Sequence, residues 1–396
     1  VMQACARVPG NMALDFLGAE TTYRTLGEAI EAFAGALQAE FAVGKGTRVA
    51  LMLPNTPFYV VAYYGVLLAG GTVVNCNPLY TLKELSHIVG NSGADLMVTL
   101  DIKTLFEKAE ALVEGGHVKH LIVCHFPAAL PLVKRILFSF ARRGELANVR
   151  RSPVARSITH YQRMIGRRLK PKPVTIDALH DVAVQQYTGG TTGLPRGAML
   201  SHANIAANMS QIDYWGGELF KPPSRIVAVL PFFHIFSMTV CMNVPLCNGA
   251  AVVMLPRFEM KPMLDMIKRT RANVLPAVPT LIQALSRQKS AAAALESVEI
   301  AVSGGAPLPK ELYEAFAKVS SARLAEGYGL TEASPVVACA ALQYPSKPMS
   351  IGMPLPMTDV RIGSIEDPGR VMPLGERGEL QVKGPQVMLG YYGDEE

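Results

Sequence analysis

The chain has 396 residues, 49% of them hydrophobic and 18% charged, which suits a globular protein long enough for more than one folding unit. No apolar run reaches transmembrane length, and the opening VMQACARVPGNMALDF lacks the basic start, apolar block and cleavage site of a signal peptide. The net charge of +6 is local: between Lys134 and Lys172 twelve Lys/Arg face one acid, Glu145, a net of +11, so the remainder sums to −5.

From residue 48 short β-branched runs alternate with helical patterns. RVALML predicts a strand, TPFYVVAYYGVLLAG a buried helix, TVVN a strand and LKELSHIVGNSG a helix. DLMVTL and KHLIVC are further strands. This rhythm implies a parallel sheet covered by helices. It breaks over 126–175, the basic stretch, and resumes with VAVQQY, RIVAVLP, AAVVMLP, NVLPAV and SVEIAVSGG. From about 346 DVRIGSIED, GRVMPLGERGELQVKG and VMLGYYG read as short antiparallel strands joined by turns. The expected fold class is α/β, with two stacked α/β subdomains built on largely parallel sheets and a small antiparallel β subdomain. The expected boundaries are 45–205 for one layer with its basic insertion at 126–175, 1–44 with 206–345 for the other, and 346–396 for the β piece.

The six cysteines, Cys5, Cys76, Cys124, Cys241, Cys247 and Cys339, show no Cys-x-x-Cys spacing. They read as reduced and mostly buried, which points to a cytoplasmic protein.

The segment YTGGTTGLPRGAMLSH, residues 187–202, carries the first functional signal. Glycines let backbone N–H groups converge on phosphate oxygens. Thr188, Thr191 and Thr192 add hydroxyl donors, and Arg196 adds a forked cation for a polyphosphate. It is not the NTPase P-loop, because no Gly-Lys-Ser/Thr occurs and a strand-like piece follows. A flexible hairpin tip is the alternative for the loop taken alone.

The full segment resembles the phosphate-loop signature of the adenylate-forming superfamily, which includes acyl-CoA synthetases, aryl-CoA ligases, luciferases and adenylation domains. LPFFHIFSM, SGGAPLP, EGYGLTEASP and GELQVKGPQVMLGYY resemble further blocks of that family in the same order. VNCNPLYTLKEL, YTGGTTG, HIF and KGPQVMLGYY are most similar to bacterial long-chain fatty acyl-CoA synthetases. The resemblance implies that a carboxylate attacks the α-phosphate of ATP, and that the acyl-adenylate then passes its acyl group to coenzyme A.

On that resemblance Tyr187, Thr188, Gly189, Gly190, Thr191, Thr192 and Gly193 form the nucleotide loop, and Glu332 with Thr191 is expected near Mg²⁺. Thr331 is expected at the α-phosphate and Tyr328, between Gly327 and Gly329, against adenine. Gly304, Gly305, Ala306 and Pro307 would admit adenine on one side and the acyl substrate on the other, although a plain strand-to-helix turn is compatible. His234 would sit beside the substrate carboxylate; a satisfied core histidine is the alternative. Phe232, Phe233, Phe236 and Met238 are candidates for an acyl tunnel or for ordinary core. Arg196 departs from the family, which usually has lysine there.

LPLVKRILFSFARR places Leu132, Ile136, Leu137 and Phe140 against Lys134, Arg135, Arg142 and Arg143 at near-helical spacing. That suits a helix on an anionic membrane surface, so the expected partners are a fatty acid and a peripheral contact with the inner membrane face through 130–172. A solvated insertion is the alternative, and nucleic acid is not expected. A homodimer is compatible with the sequence. The resemblance also implies a hinge and a lysine-bearing C-terminal domain after GYY, so the chain is expected to be the large N-terminal domain and to adenylate poorly by itself. An aryl- or medium-chain-acid ligase, and a noncatalytic nucleotide-binding or membrane-docking module, remain the other functional readings.

Overall fold

A computed structural model describes residues 1–189, 194–344 and 346–394. Among them two large sheets form, one of eight strands and one of nine, with a separate two-stranded ribbon. In the eight-stranded sheet Arg48–Leu51, Thr72–Asn75, Leu96–Leu100, His120–Cys124 and Val182–Thr188 run parallel. The sheet is largely parallel because amphipathic or fully apolar helices return the chain between its strands. Pro57–Leu68 is apolar all round and buried on most of its surface, started by Pro57 and a Thr56 side chain that accepts from the Tyr59 amide. Leu82–Ser92 carries a capping box between Thr81 and Glu84 and ends at Gly93, whose φ of 69° suits a residue without Cβ.

The nine-stranded sheet has a parallel centre of Met12–Phe16, Ala251–Met254, Arg225–Ala228, Val274–Ala277, Ile300–Ser303 and Arg323–Gly329. Antiparallel strands Val336–Cys339 and Met353–Pro354 extend one edge. One large apolar cluster draws on both sheets and on the helices between them, including Tyr59, Tyr63, Phe33, Val73, Val184 and Phe232. All six cysteines are free, and all but the half-buried Cys247 are buried.

In the basic stretch Leu132–Ala141 is helical, as its near-helical spacing suggested, and Ile158–His160 pairs in parallel with His120–Cys124 as an edge strand that the sequence reading did not place. Among the described residues of 346–396, Asp359–Gly363 pairs with Glu379–Lys383 and bridges to Val371, whereas Gly390–Tyr391 pairs antiparallel with Arg196–Ser201 of the eight-stranded sheet. No helix among the described residues is long and apolar enough to cross a membrane.

Candidate active site

The loop signature lies on an antiparallel hairpin, Val182–Thr188 with Arg196–Ser201, in which Thr188 faces Arg196 and Tyr187 faces Gly197. Gly190, Thr191, Thr192 and Gly193 lie outside the described residues. Thr188 is half-buried at the strand end, and Gly189 is exposed. Tyr187 is buried; its hydroxyl donates to Asn91 Oδ1 at 2.6 Å. A Cβ on Gly197 would lie 2.9 Å from the Tyr187 ring, so this tyrosine anchors the hairpin base and turns its side chain to the core.

Just after the hairpin, Ser201 and Asn204 cap helix His202–Gly216 reciprocally. The Asn204 Nδ2 also donates to the Pro385 and Val387 carbonyls at 2.9 and 2.8 Å. The Met388 amide donates to the Glu332 carbonyl at 2.7 Å, and the Tyr392 amide to that of Gly197 at 2.8 Å. These bonds bring the late GYYGD segment between the hairpin and the EGYGLTE turn. There the Tyr391 hydroxyl donates to Glu332 Oε1 at 2.5 Å. The Arg196 guanidinium carbon stacks 4.0 Å from the Tyr391 ring centre and Nη1 lies 3.4 Å from Asp394 Oδ2. Partial burial and the Glu332 carboxylate push the Tyr391 phenol up to about 12, so it stays a donor at neutral pH. Arg196 and Glu332 are thus joined through one aromatic ring.

Gly304, Gly305, Gly327 and Gly329 form a thin backbone wall where Ile300–Ser303 and Arg323–Gly329 run side by side. On one face lies an apolar cavity of about 220 Å³, lined by His234, Phe236, Val240, Trp215 and Leu342 and reached by Tyr328 and Thr331. A second cavity, about 640 Å³, is lined by Gly305, Ala306, Pro307, Glu326 and Tyr328. Gly304 is needed for this closeness: a Cβ there would lie 3.2 Å from the Phe236 ring and 3.3 Å from the Gly327 carbonyl. Gly305 adopts φ +80°. Glu326 is buried, accepts from the Leu308 amide at 3.1 Å, and has its carboxyl pushed up by that burial.

His234 opens to the smaller cavity. Its Nδ1 accepts from the Phe236 amide at 3.3 Å, which leaves Nε2 to carry the proton of the neutral ring. The ring is exposed to the open cleft, but protein crowds its other sides and this desolvation lowers its pKa below 6.5.

A buried polar network holds the segment before it. Gln186, on the hairpin, donates from Nε2 to the Phe233 carbonyl at 2.8 Å and accepts from Asn75 Nδ2 at 2.8 Å. The Tyr59 hydroxyl bridges Asn75 Oδ1 at 2.7 Å and the Phe232 carbonyl at 2.9 Å. Asn55 accepts from the Phe232 amide at 2.7 Å. The two sheets are therefore pinned to one another beside the histidine.

Of the tunnel candidates, only Phe236 lines the cavity with His234. Phe232 and Met238 are fully buried in the core, and Phe233 borders a different cavity of about 400 Å³. Phe232 packs against Tyr59, with ring centres 5.5 Å apart. The sequence reading did not single out Tyr391, Asp394, Glu326 or Gln186. Tyr391 and Glu326 lay inside recognised motifs, which was the available signal.

Residues 1–392 match the protein family described as AMP-binding enzyme. The chain is 37% identical to a long-chain-fatty-acid–CoA ligase of Bacillus subtilis, covering 99% of the chain and 70% of that protein. It is 34% identical to a ligase of the same name from Escherichia coli, over 98% of the chain and 69% of the relative. Its fold matches the crystal structure of a long-chain-fatty-acid–CoA ligase from Archaeoglobus fulgidus with a TM-score of 0.81 at 23% identity, over 99% of the chain and 75% of that structure. With its hairpin, glycine wall and late tyrosine in the places described, the chain belongs to the AMP-binding enzyme family.

Proposed function

We propose that this chain activates a long-chain fatty acid with ATP and prepares it for transfer to coenzyme A, as an acid–thiol ligase. The observation that carries this reading is the thin glycine wall between an apolar cavity and a larger cavity with a buried carboxyl group. The first suits the carboxylate end of an acyl chain and the second a nucleoside, so their reacting ends meet at the edge where Tyr328 and Thr331 stand. The names of the relatives support the acyl class.

In the first half-reaction a carboxylate oxygen of the acid bonds to the α-phosphorus, and the bond to pyrophosphate breaks. In the second the CoA sulfur bonds to the acyl carbonyl carbon, AMP leaves and the thiol proton is released. The chain's own contribution to the first half is alignment and charge. His234, neutral at pH 7, offers Nε2–H to the carboxylate and orients it. Thr331 offers a hydroxyl to the α-phosphate. Tyr328 offers a ring face to adenine beside Gly305–Pro307. Thr188, Gly189 and Arg196 would meet the outer phosphates, and the further loop candidates, Gly190, Thr191, Thr192 and Gly193, lie outside the described residues.

A magnesium ion fits the donors present. Glu332 would supply a carboxylate, a hard oxygen ligand, and the hydroxyl of Thr191, which lies outside the described residues, is the further candidate. Among the described residues no three His, Cys, Asp or Glu side chains gather as a metal cluster, so phosphates and water would complete the shell. When bound, the ion neutralises phosphate charge. Since the acyl substrate partitions into bilayers, a cytoplasmic protein with a peripheral contact to the anionic inner membrane face through 130–172 belongs to the same reading.

The test is isotope exchange between pyrophosphate and ATP by this protein. Exchange that depends on palmitate or oleate supports the reading. Exchange with aryl or medium-chain acids alone would assign it to another acid class, and no exchange with any acid would leave a nucleotide-binding module.

A further inference from the structure

Helix Leu132–Ala141 is turned inside out. Leu132, Val133, Ile136, Leu137 and Phe140 fall within an arc of about 140° at 100° per residue, and all five are exposed. Val133 is 70% and Phe140 85% accessible. The opposite side carries the contacts to the protein, although Lys134 and Arg135 are themselves exposed. Lys134 Nζ donates to the Leu17 carbonyl at 2.7 Å. Arg135 donates from Nε to the Pro127 carbonyl at 3.1 Å and from Nη2 to the Ala128 and Leu130 carbonyls at 3.1 and 3.2 Å. Phe138 is the apolar anchor, its ring centre 5.4 Å from that of Phe126. Burial of apolar side chains normally drives a surface helix the other way round, since each is worth about 1.5–3 kcal/mol. Cations pinned to main-chain carbonyls hold this stripe outward.

The stripe continues into a groove of about 560 Å³ that Leu137 shares with Leu79 and Leu105. Leu79 is itself 84% exposed. Arg142, Arg143, Arg150 and Arg151 follow the helix, and all are exposed. Exposed apolar residues on one helix face, followed by guanidinium groups, match the boundary between lipid headgroups and acyl chains. Each cation near an anionic surface adds about 1 kcal/mol. A second copy of this chain is a poorer occupant, because it would bring two segments of net charge +11 together.

We infer that helix Leu132–Ala141 is the element that seats the protein on an anionic bilayer, with Val133, Ile136 and Phe140 entering the headgroup layer. This deepens the membrane contact placed above at 130–172. Its test reads vesicle binding, while the acyl-CoA reading is tested by exchange, so the two can fail separately.

The experiment is cosedimentation of this chain with vesicles of phosphatidylcholine, with and without phosphatidylglycerol, at low and high salt. A double variant, Val133→Glu with Phe140→Glu, is compared, and both sites are exposed enough to accept the change. The expected result is binding to the anionic vesicles that weakens with salt and falls by roughly tenfold or more in the double variant, since two apolar contacts are lost. Unchanged thermal unfolding of the variant checks its fold. Equal binding by the variant, or equal binding to pure phosphatidylcholine vesicles, overturns the proposal. A dimer that the double variant dissociates, with no vesicle binding by either form, overturns it in favour of a second copy.

Discussion

Gln186→Met tests whether the two sheets are locked together beside the histidine. The substitution keeps the length of a fully enclosed side chain but removes a donor and an acceptor. It strands the Phe233 carbonyl, which accepts at 2.8 Å, and one Asn75 amide proton, whose other contact is Met238 Sδ at 3.4 Å. A buried polar group left unpaired costs about 1–3 kcal/mol, so the pair costs about 2–6 kcal/mol. With about 2.1 cal/mol/K of unfolding entropy per residue, 396 residues give about 0.8 kcal/mol/K, and the midpoint should fall by about 2–7 °C. Differential scanning calorimetry reads that shift. Binding of an acyl-adenylate mimic should weaken with it, because Phe233 precedes His234 and loses its tether. A midpoint within about 1 °C of the parent, with unaltered binding, would refute the argument that this network positions the histidine.

Three further outcomes follow from the same geometry. Glu332→Gln keeps an oxygen that accepts from Tyr391 but removes the charge; the melting midpoint should hold while magnesium-dependent ATP affinity drops by roughly tenfold or more, and undiminished affinity in calorimetry would remove the metal role. His234 should titrate below 6.5 by NMR, assigned with His234→Asn, and a midpoint at or above 6.5 would contradict the desolvated ring. The sign follows: the unfolded chain takes that proton first, so stability falls as pH drops below 6.5 and stops falling once the lowered folded value is passed. Gly304→Ala and Gly329→Ala should separate function from folding. The first puts a Cβ 3.2 Å from a ring edge that can yield and 3.3 Å from the Gly327 carbonyl, so a shift of a few tenths of an ångström accommodates it, narrowing that cavity at the smaller cost in stability. The second puts one 2.1 Å from the Pro335 carbonyl oxygen, and should cost about 3 kcal/mol or more by thermal unfolding. Equal melting points for the two would sink that distinction.

The β-α rhythm was legible because parallel strands such as Leu96–Leu100 and Ala251–Met254 are nearly continuous apolar runs with helices between them. Ile158–His160 was not, because an edge strand of three residues flanked by arginines carries no such run. The glycine wall was readable as motif. What it separates was not, since two cavities exist only once Phe236 and Trp215 arrive from other elements. Asn75 and Gln186 in strands, and Asn55 in a bend, give no sequence signal: a polar residue there looks like solvent until its distant partner is known. Tyr391 pairs with Ala198 and bonds Glu332, contacts across 193 and 59 positions, which no local pattern specifies. The aromatic run around His234 was ambiguous for the same reason, and only folding sorted Phe232 into the core and Phe236 onto the cavity wall.

The most direct measurement is calorimetric titration of this chain with palmitoyl-sulfamoyl-adenosine, a stable mimic of the joined intermediate, beside AMP and palmitate separately. If one glycine wall serves both halves of the ligand, the mimic should bind at least ~10²-fold more tightly than AMP. Affinity no better than that of AMP, or matched by a benzoyl mimic, would contradict a long-chain acyl-adenylate at this site.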